Sequence, residues 1–153
     1  MTTPLKKSRV ILMAEDDEDH YLLTKEAFAQ CSLSHDFRHV EDGEKLMAYL
    51  LRQGVYQNPK DSPRPSLILL DLNMPLKNGY EALKEIKAHP ELRRIPVVVL
   101  TVSRSQEDVI RCYEEGANSF LSKPLGFQQL VDMARTLKQY WFDTAELPNG
   151  QML

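Results

Sequence analysis

Ser66-Leu-Ile-Leu-Leu-Asp71-Leu-Asn-Met-Pro75 is the stretch on which the reading of this chain turns. Four apolar residues, Leu67 to Leu70, are followed at once by a carboxylate, then an amide and a proline. A run so short and so apolar, bounded by turn residues, fits a strand buried on both faces of a parallel sheet. Asp71 then stands at the carboxyl end of that strand, the edge where open α/β sheets place their chemistry. Pro75 forbids further pairing, and Asn78-Gly79 turns the chain into the next helix. Taken alone, a carboxylate there is as readily a cap for the turn as a reactive group.

Three more strand ends shift that balance. Val10-Ile-Leu-Met-Ala14 runs into five successive acids, Glu15 to Asp19. Pro96-Val-Val-Val-Leu100 runs into Thr101-Val102-Ser103, and Asn118-Ser-Phe-Leu-Ser122 ends at Lys123-Pro124. Parallel strands would deliver all of these groups to one edge: clustered acids, one acid, a hydroxyl and an ammonium. Between the strands lie segments of helical spacing at about 18–31, 43–53, 79–88, 106–115 and 126–142, with Asp36 to Val40 a weak second strand and the fourth strand at about 94–100. Gly54 to Pro65, with three prolines, reads as a surface loop and not a domain linker, because the next strand must rejoin the same sheet. Five strands alternating with five helices, without internal repeats, imply a parallel sheet covered on both faces.

These features resemble the response regulator receiver domains of two-component signalling. The resemblance rests on Glu15-Asp16, on Asp71 in LLDLNMP, on Thr101 in VVVLTVS and on Lys123 in FLSKP, with Asn78-Gly79, Phe120 and Pro124 also matching. It runs from about Arg9 to about Trp141. More narrowly, the Pro-rich segment before LILLDLNMP, the stretch RRIPVVVLTVS and the closing KQYWF are similar to the stand-alone regulators paired with cyanobacterial phytochromes. The fold implied is the doubly wound (βα)5 sandwich with strand order 2-1-3-4-5. The domain plan is a flexible lead over 1–8, a receiver domain over 9–142 and a loose tail over 143–153.

Clustered carboxylates repel by roughly 4 kcal/mol per pair at about 4 Å and an effective dielectric near 20. A hard divalent cation removes that cost, and oxygen ligands favour Mg2+ or Mn2+. The resemblance implies that Asp16 and Asp71 ligate it through their side chains, Glu15 directly or through water, and Asn73 through its backbone carbonyl. The register within the five acids stays open; Glu15-Asp16 follow the strand immediately, whereas Asp17, Glu18 and Asp19 suit a helix start. The resemblance further implies that Asp71 accepts a phosphoryl group, that Lys123 and Thr101 bind it, and that Thr101 and Phe120 move on phosphorylation. It also implies a cis peptide between Lys123 and Pro124, and a histidine kinase partner, of the phytochrome type on the narrower likeness. Two departures stand out. Val102 is bulkier than the small residue usual after the threonine and would restrict access, and Phe120 lacks the hydroxyl of the tyrosine common at its position.

The composition excludes other classes. At 153 residues, 42% hydrophobic and 27% charged, the chain suits one domain with a full core. A net charge of −3 with no basic stripe argues against nucleic-acid binding. No apolar segment of about 18 residues spans a membrane and no signal pattern opens the chain, so a cytoplasmic protein with reduced Cys31 and Cys112 is expected. A phosphatase of the strand-end aspartate type would want a second acid where Asn73 stands, and a nucleotide binder would want a Gly-rich loop where the acids stand. A receiver fold used only as a phosphorylation-independent interaction module remains the alternative. The last helix carries more apolar side chains than one core stripe needs, among them Phe127, Tyr140, Trp141 and Phe142. They read either as a C-terminal plug on the core or as part of a homodimer face. The downstream target is left open.

Overall fold

The computed structural model describes residues 9–31 and 36–148. The lead expected over 1–8 and the end of the tail, 149–153, lie outside the described residues. In chain order the elements are β1 (Val10–Ala14), α1 (Glu18–Gln30), β2 (Asp36–Val40), α2 (Gly43–Leu51), β3 (Leu67–Leu70), α3 (Gly79–Ala88), β4 (Val97–Thr101), α4 (Gln106–Glu114), β5 (Ser119–Ser122) and α5 (Phe127–Lys138).

The five strands form one sheet in the order β2-β1-β3-β4-β5, and every pair is parallel. This is the architecture expected from the alternation. The three central strands are buried along their whole length, whereas the edge strands β2 and β5 are largely half-buried. Full burial of a leucine or isoleucine is worth about 1.5–3 kcal/mol, which is why the continuous run Leu67 to Leu70 takes the centre.

Successive strand residues face opposite layers. Leu12, Ile68, Leu70, Val97 and Val99 pack with Leu46, Leu50, Leu83, Ile86 and Cys112 from α2, α3 and α4. Ile11, Met13, Leu67, Leu69, Val98 and Leu100 pack with Ala27, Phe28, Leu130, Val131 and Ala134 from α1 and α5. Cys31 and Cys112 are both buried and free.

Local sequence sets the helix starts. Asp17 caps α1, accepting from Asp19 N at 3.0 Å and His20 N at 3.3 Å. Asn78 and Glu81 cap α3 reciprocally, at 3.0 and 3.3 Å. Several boundaries differ from expectation. α2 stops at Leu51 because Arg52 turns left-handed, with φ 55°. Residues Leu92–Arg94 form a 3-10 turn, so β4 begins only after Pro96. α5 yields at Lys138 to a π-helical turn over Gln139–Thr144, so the chain stays helical past the expected end of the domain. The loop between Gly54 and Pro65 lies against α2: Tyr49 Oη donates to Pro63 O at 2.6 Å and the buried Ser62 Oγ donates to Tyr56 O at 2.9 Å.

Candidate functional site

Parallel strands bring four side chains to one edge. Glu15 follows β1, Asp71 follows β3, Thr101 ends β4 and Lys123 follows β5. The backbone locks their relation: Asp71 N donates to Ala14 O at 3.1 Å and Lys123 N donates to Thr101 O at 2.7 Å. Glu15 and Thr101 are fully buried and Asp71 nearly so. Lys123 Nζ lies 2.5 Å from Glu15 Oε1 and 3.2 Å from Asp71 Oδ2. Asn73, exposed in the turn beyond, donates its backbone N to Asp71 Oδ1 at 3.3 Å. Thr101 Oγ1 has no hydrogen-bond partner among the described residues, a costly state for a buried hydroxyl.

Glu15, Asp16 and Asp71 each offer a carboxylate oxygen, all within 4.8 Å of one another. Asp16 is exposed and opens the cluster to solvent. Three acids against one ammonium form an all-oxygen, net-negative donor set, which fits a hard divalent cation such as Mg2+ or Mn2+. Asp17, Glu18 and Asp19 stand at the cap and first turn of α1.

The two buried acids differ sharply. Burial alone would raise Glu15, but hydrogen bonds with His20, Asp71 and Lys123 outweigh it and hold its pKa at about 2. Burial, then the hydrogen bond and negative charge of Glu15, push Asp71 up to about 6, against the pull of Lys123. Burial and Glu15 also raise Asp16. Above about pH 7, Asp71 is therefore an ionised carboxylate facing an ammonium, a competent oxygen nucleophile.

One expectation is corrected. The bond between Lys123 and Pro124 is trans, as are all peptide bonds among the described residues. The lysine reaches both carboxylates in this form, and trans is the lower-energy isomer of most X-Pro bonds by about 0.5–1 kcal/mol. Phe120 is half-buried against the core layer formed with α2, α3 and α4. Val102 is 66% exposed at the rim, so its bulk points to solvent and not into the core.

The four aromatic residues singled out near the C-terminus differ in exposure, and Tyr140 meets Trp141 edge to face with ring centroids 4.9 Å apart. Phe127 and Tyr140 are exposed, but they are separated by 13 residues of helix, roughly 20 Å. Trp141 and Phe142 pack on the core layer shared by α1 and α5. Sequence reasoning also passed over two arrangements. His20 Nδ1 lies 3.0 Å from Glu15 Oε1, and His39 Nε2 lies 2.6 Å from Glu15 O with its ring stacked on Tyr21 at 3.9 Å. Ser103 Oγ donates to Asp108 Oδ2 at 2.5 Å, Tyr80 Oη donates to Asp108 Oδ1, and Arg111 covers the Tyr80 ring at 3.8 Å. The second group ties the loop after Thr101 to α3 and α4.

The sequence pattern of the response regulator receiver domain matches residues 11–135. The chain belongs to this family. Response regulator Rcp1 of Synechocystis sp. is 44% identical over 92% of this chain and 93% of its own length. The structure of its Mn2+-bound form is similar with a TM-score of 0.83 at 42% identity, across 92% of this chain and 99% of that one. The phosphorylated cyanobacterial phytochrome response regulator RcpA is similar with a TM-score of 0.86 at 39% identity, across 93% and 99%. RPA3017, a response regulator in red light signaling of R. palustris, is similar with a TM-score of 0.87 at 33% identity, across 92% and 99%. The chain is thus a two-component receiver domain homologous to phytochrome response regulators, and not a member of a classical enzyme family. Among the described residues, no helix is long and apolar enough to cross a membrane.

Proposed function

We propose that this receiver, spanning residues 9–142, accepts a phosphoryl group on Asp71 from the phosphohistidine of a phytochrome-type histidine kinase, in a Mg2+-dependent reaction. The observation that carries the reading is one sheet edge holding the Asp71 carboxylate, the Lys123 ammonium 3.2 Å from it and the buried, unsatisfied Thr101 hydroxyl. An Asp71 oxygen attacks phosphorus, forming an acyl phosphate. The P–N bond breaks, its electron pair returns to the imidazole of the kinase, and that nitrogen takes a proton from solvent. The receiver takes part in the later loss of the group as well: water attacks phosphorus, the P–O bond to Asp71 breaks with its electron pair returning to the carboxylate, and Lys123 and Thr101 hold the phosphoryl oxygens meanwhile.

Asp16, Asp71 and the Asn73 backbone carbonyl would hold Mg2+ or Mn2+, with Glu15 acting directly or through water. What the bound cation supplies is neutralisation of charge at the phosphoryl oxygens and among the carboxylates. Lys123 binds one phosphoryl oxygen as an ion pair. Thr101 donates to another, a partner that the bare carboxylate does not offer. Because that bond exists in one state only, it biases the position of the loop after β4, and Phe120 follows Thr101 by packing alone. The signal then passes through surfaces such as Phe127 and Tyr140, with homodimerisation supported by their exposure. The chemistry belongs to a cytoplasmic protein without nucleic-acid contacts, in keeping with the net charge of −3.

The kinase class has a direct test. A phytochrome-type kinase carrying radiolabelled phosphohistidine is mixed with the receiver and Mg2+. Label is expected to pass to the wild type within minutes and to stay on the kinase with Asp71→Asn. Label that a known partner receiver drains but this chain leaves untouched would remove the phytochrome assignment.

A further inference from the structure

Lys123 serves two carboxylates, and it sits closer to the one that is not phosphorylated: 2.5 Å from Glu15 Oε1 against 3.2 Å from Asp71 Oδ2. Phosphoryl binding needs that ammonium beside Asp71. Each increment of Lys123 toward the phosphoryl group is withdrawn from Glu15, a fully buried carboxylate. A buried charged acceptor left without a donor is costly. A bound divalent cation would share that load, directly or through its water, and the Oε1 atom that the lysine leaves keeps a donor only if another side chain meets it.

His20 is placed for this. Its Nδ1 lies 3.0 Å from the same Oε1 atom that Lys123 contacts. A carboxylate only accepts, so the attraction requires the imidazole proton on Nδ1. Lys123 and His20 share this one oxygen, so Oε1 keeps the His20 contact when the lysine withdraws. The backbone that carries the ring is held from two sides. Asp17 Oδ1 accepts from His20 N at 3.3 Å, and Thr24 Oγ1 donates to His20 O at 2.7 Å while lying 3.5 Å from Nδ1. His39 meanwhile fixes the Glu15 backbone through its carbonyl at 2.6 Å. The other imidazole nitrogen, His20 Nε2, is buried without a partner among the described residues. A buried acceptor kept at that cost is unexpected of a side chain present only for packing.

We infer that His20 is a positioning residue of the phosphorylation reaction: from α1 it meets the same Glu15 oxygen as Lys123, so that Lys123 is free to follow the phosphoryl group. The inference rests on the phosphoacceptor reading of Asp71. Without His20, Glu15 holds the lysine back, and the transition state loses part of its neutralisation. The Nδ2 of an asparagine at this position occupies nearly the place of the histidine Nδ1, so Asn keeps the donor while removing the ring.

The test follows phosphate incorporation from acetyl phosphate at saturating Mg2+, by quenched intact mass, in the wild type, His20→Phe, His20→Leu and His20→Asn. Thermal melts of each variant confirm folding, and two apolar replacements of different shape guard against misfolding of either. The maximal rate is expected to fall about tenfold in His20→Phe and His20→Leu, the equivalent of one charge-assisted hydrogen bond, and to return to within about threefold of wild type in His20→Asn. Folded apolar variants that react as fast as wild type would overturn the inference. So would an equal loss in His20→Asn, which would assign the effect to ring packing. A wild type that takes no phosphate at all would instead overturn the phosphoacceptor reading beneath it.

Discussion

Lys123→Met is expected to lower the stability of the metal-free protein by about 3 kcal/mol at about pH 7.5, and by much less at about pH 5. The substitution keeps the length of the stem and deletes the one ammonium that contacts Glu15 and Asp71 among the described residues, leaving two buried acids face to face. Removing one partner of a buried ion pair typically costs about 3–5 kcal/mol. In the wild type, burial alone would lower the Lys123 ammonium, but Glu15 and Asp71 outweigh it and hold it above its ordinary 10.5.

The sign of the pH dependence comes from the acids. Asp71, raised from 3.8 to about 6, contributes stability that is complete below about pH 4 and is lost as pH rises through about 6. Glu15, lowered from 4.5 to about 2, contributes stability present above about pH 4.5 and lost only toward pH 2. Between about pH 5 and 7.5 the change therefore belongs to Asp71. Without the lysine its proton is held more tightly still, so acidification relieves the variant. Urea unfolding in EDTA at the two pH values measures both effects, and added Mg2+ at the higher pH is expected to stabilise the variant more than the wild type. A loss equal at both pH values would place the effect outside the carboxylate pair.

Gly79→Ala is expected to cost about 3 kcal/mol, a fall of roughly 6–12 °C in Tm for a chain of this size. The cause is space. A Cβ on Gly79 would stand 2.4 Å from Asp71 O and 2.6 Å from Leu72 Cα, and both are backbone atoms that cannot rotate away. Gly79 N also donates to Leu72 O at 3.0 Å, closing the turn that carries Asp71. The substitution therefore strains the segment that aims the carboxylate, and phosphate uptake should drop along with stability. Gly54→Ala is the matched control. Gly54 has φ +60° but nothing within 4 Å of its would-be Cβ, so only backbone strain of roughly 1 kcal/mol applies. Calorimetry on the two variants checks the contrast; equal losses would refute the steric argument at Gly79.

The central strands and the edge they share were legible because their signals are contiguous. Four or five apolar residues followed at once by Glu15, Asp71 or Thr101 specify both a buried strand and the residue at its end. The edge strand β2 was weaker, since a half-buried strand mixes polar and apolar positions. Helix ends shifted wherever the decisive term was a backbone angle, as at Arg52, or a change of helix type, as at Gln139. Apolar composition alone continues smoothly from α5 into the π turn, so it could not show that Trp141 and Phe142 pack inward while Tyr140 faces solvent. The isomer of the Lys123-Pro124 bond leaves no local trace in the sequence. His20 was illegible for a different reason. A lone histidine after five acids reads as part of a solvated helix start, and only the fold shows that its ring turns back onto Glu15. The Ser103, Asp108 and Tyr80 group likewise joins three elements, with Tyr80 and Asp108 28 residues apart.

The central claim, that Asp71 is the phosphoacceptor, is tested most directly by intact mass after incubation with Mg2+ and a small phosphodonor. The account predicts one added phosphate on the wild type, and none on Asp71→Asn or in EDTA. Unmodified wild type, under conditions that phosphorylate a control receiver, would contradict it and favour a receiver fold that acts without phosphorylation.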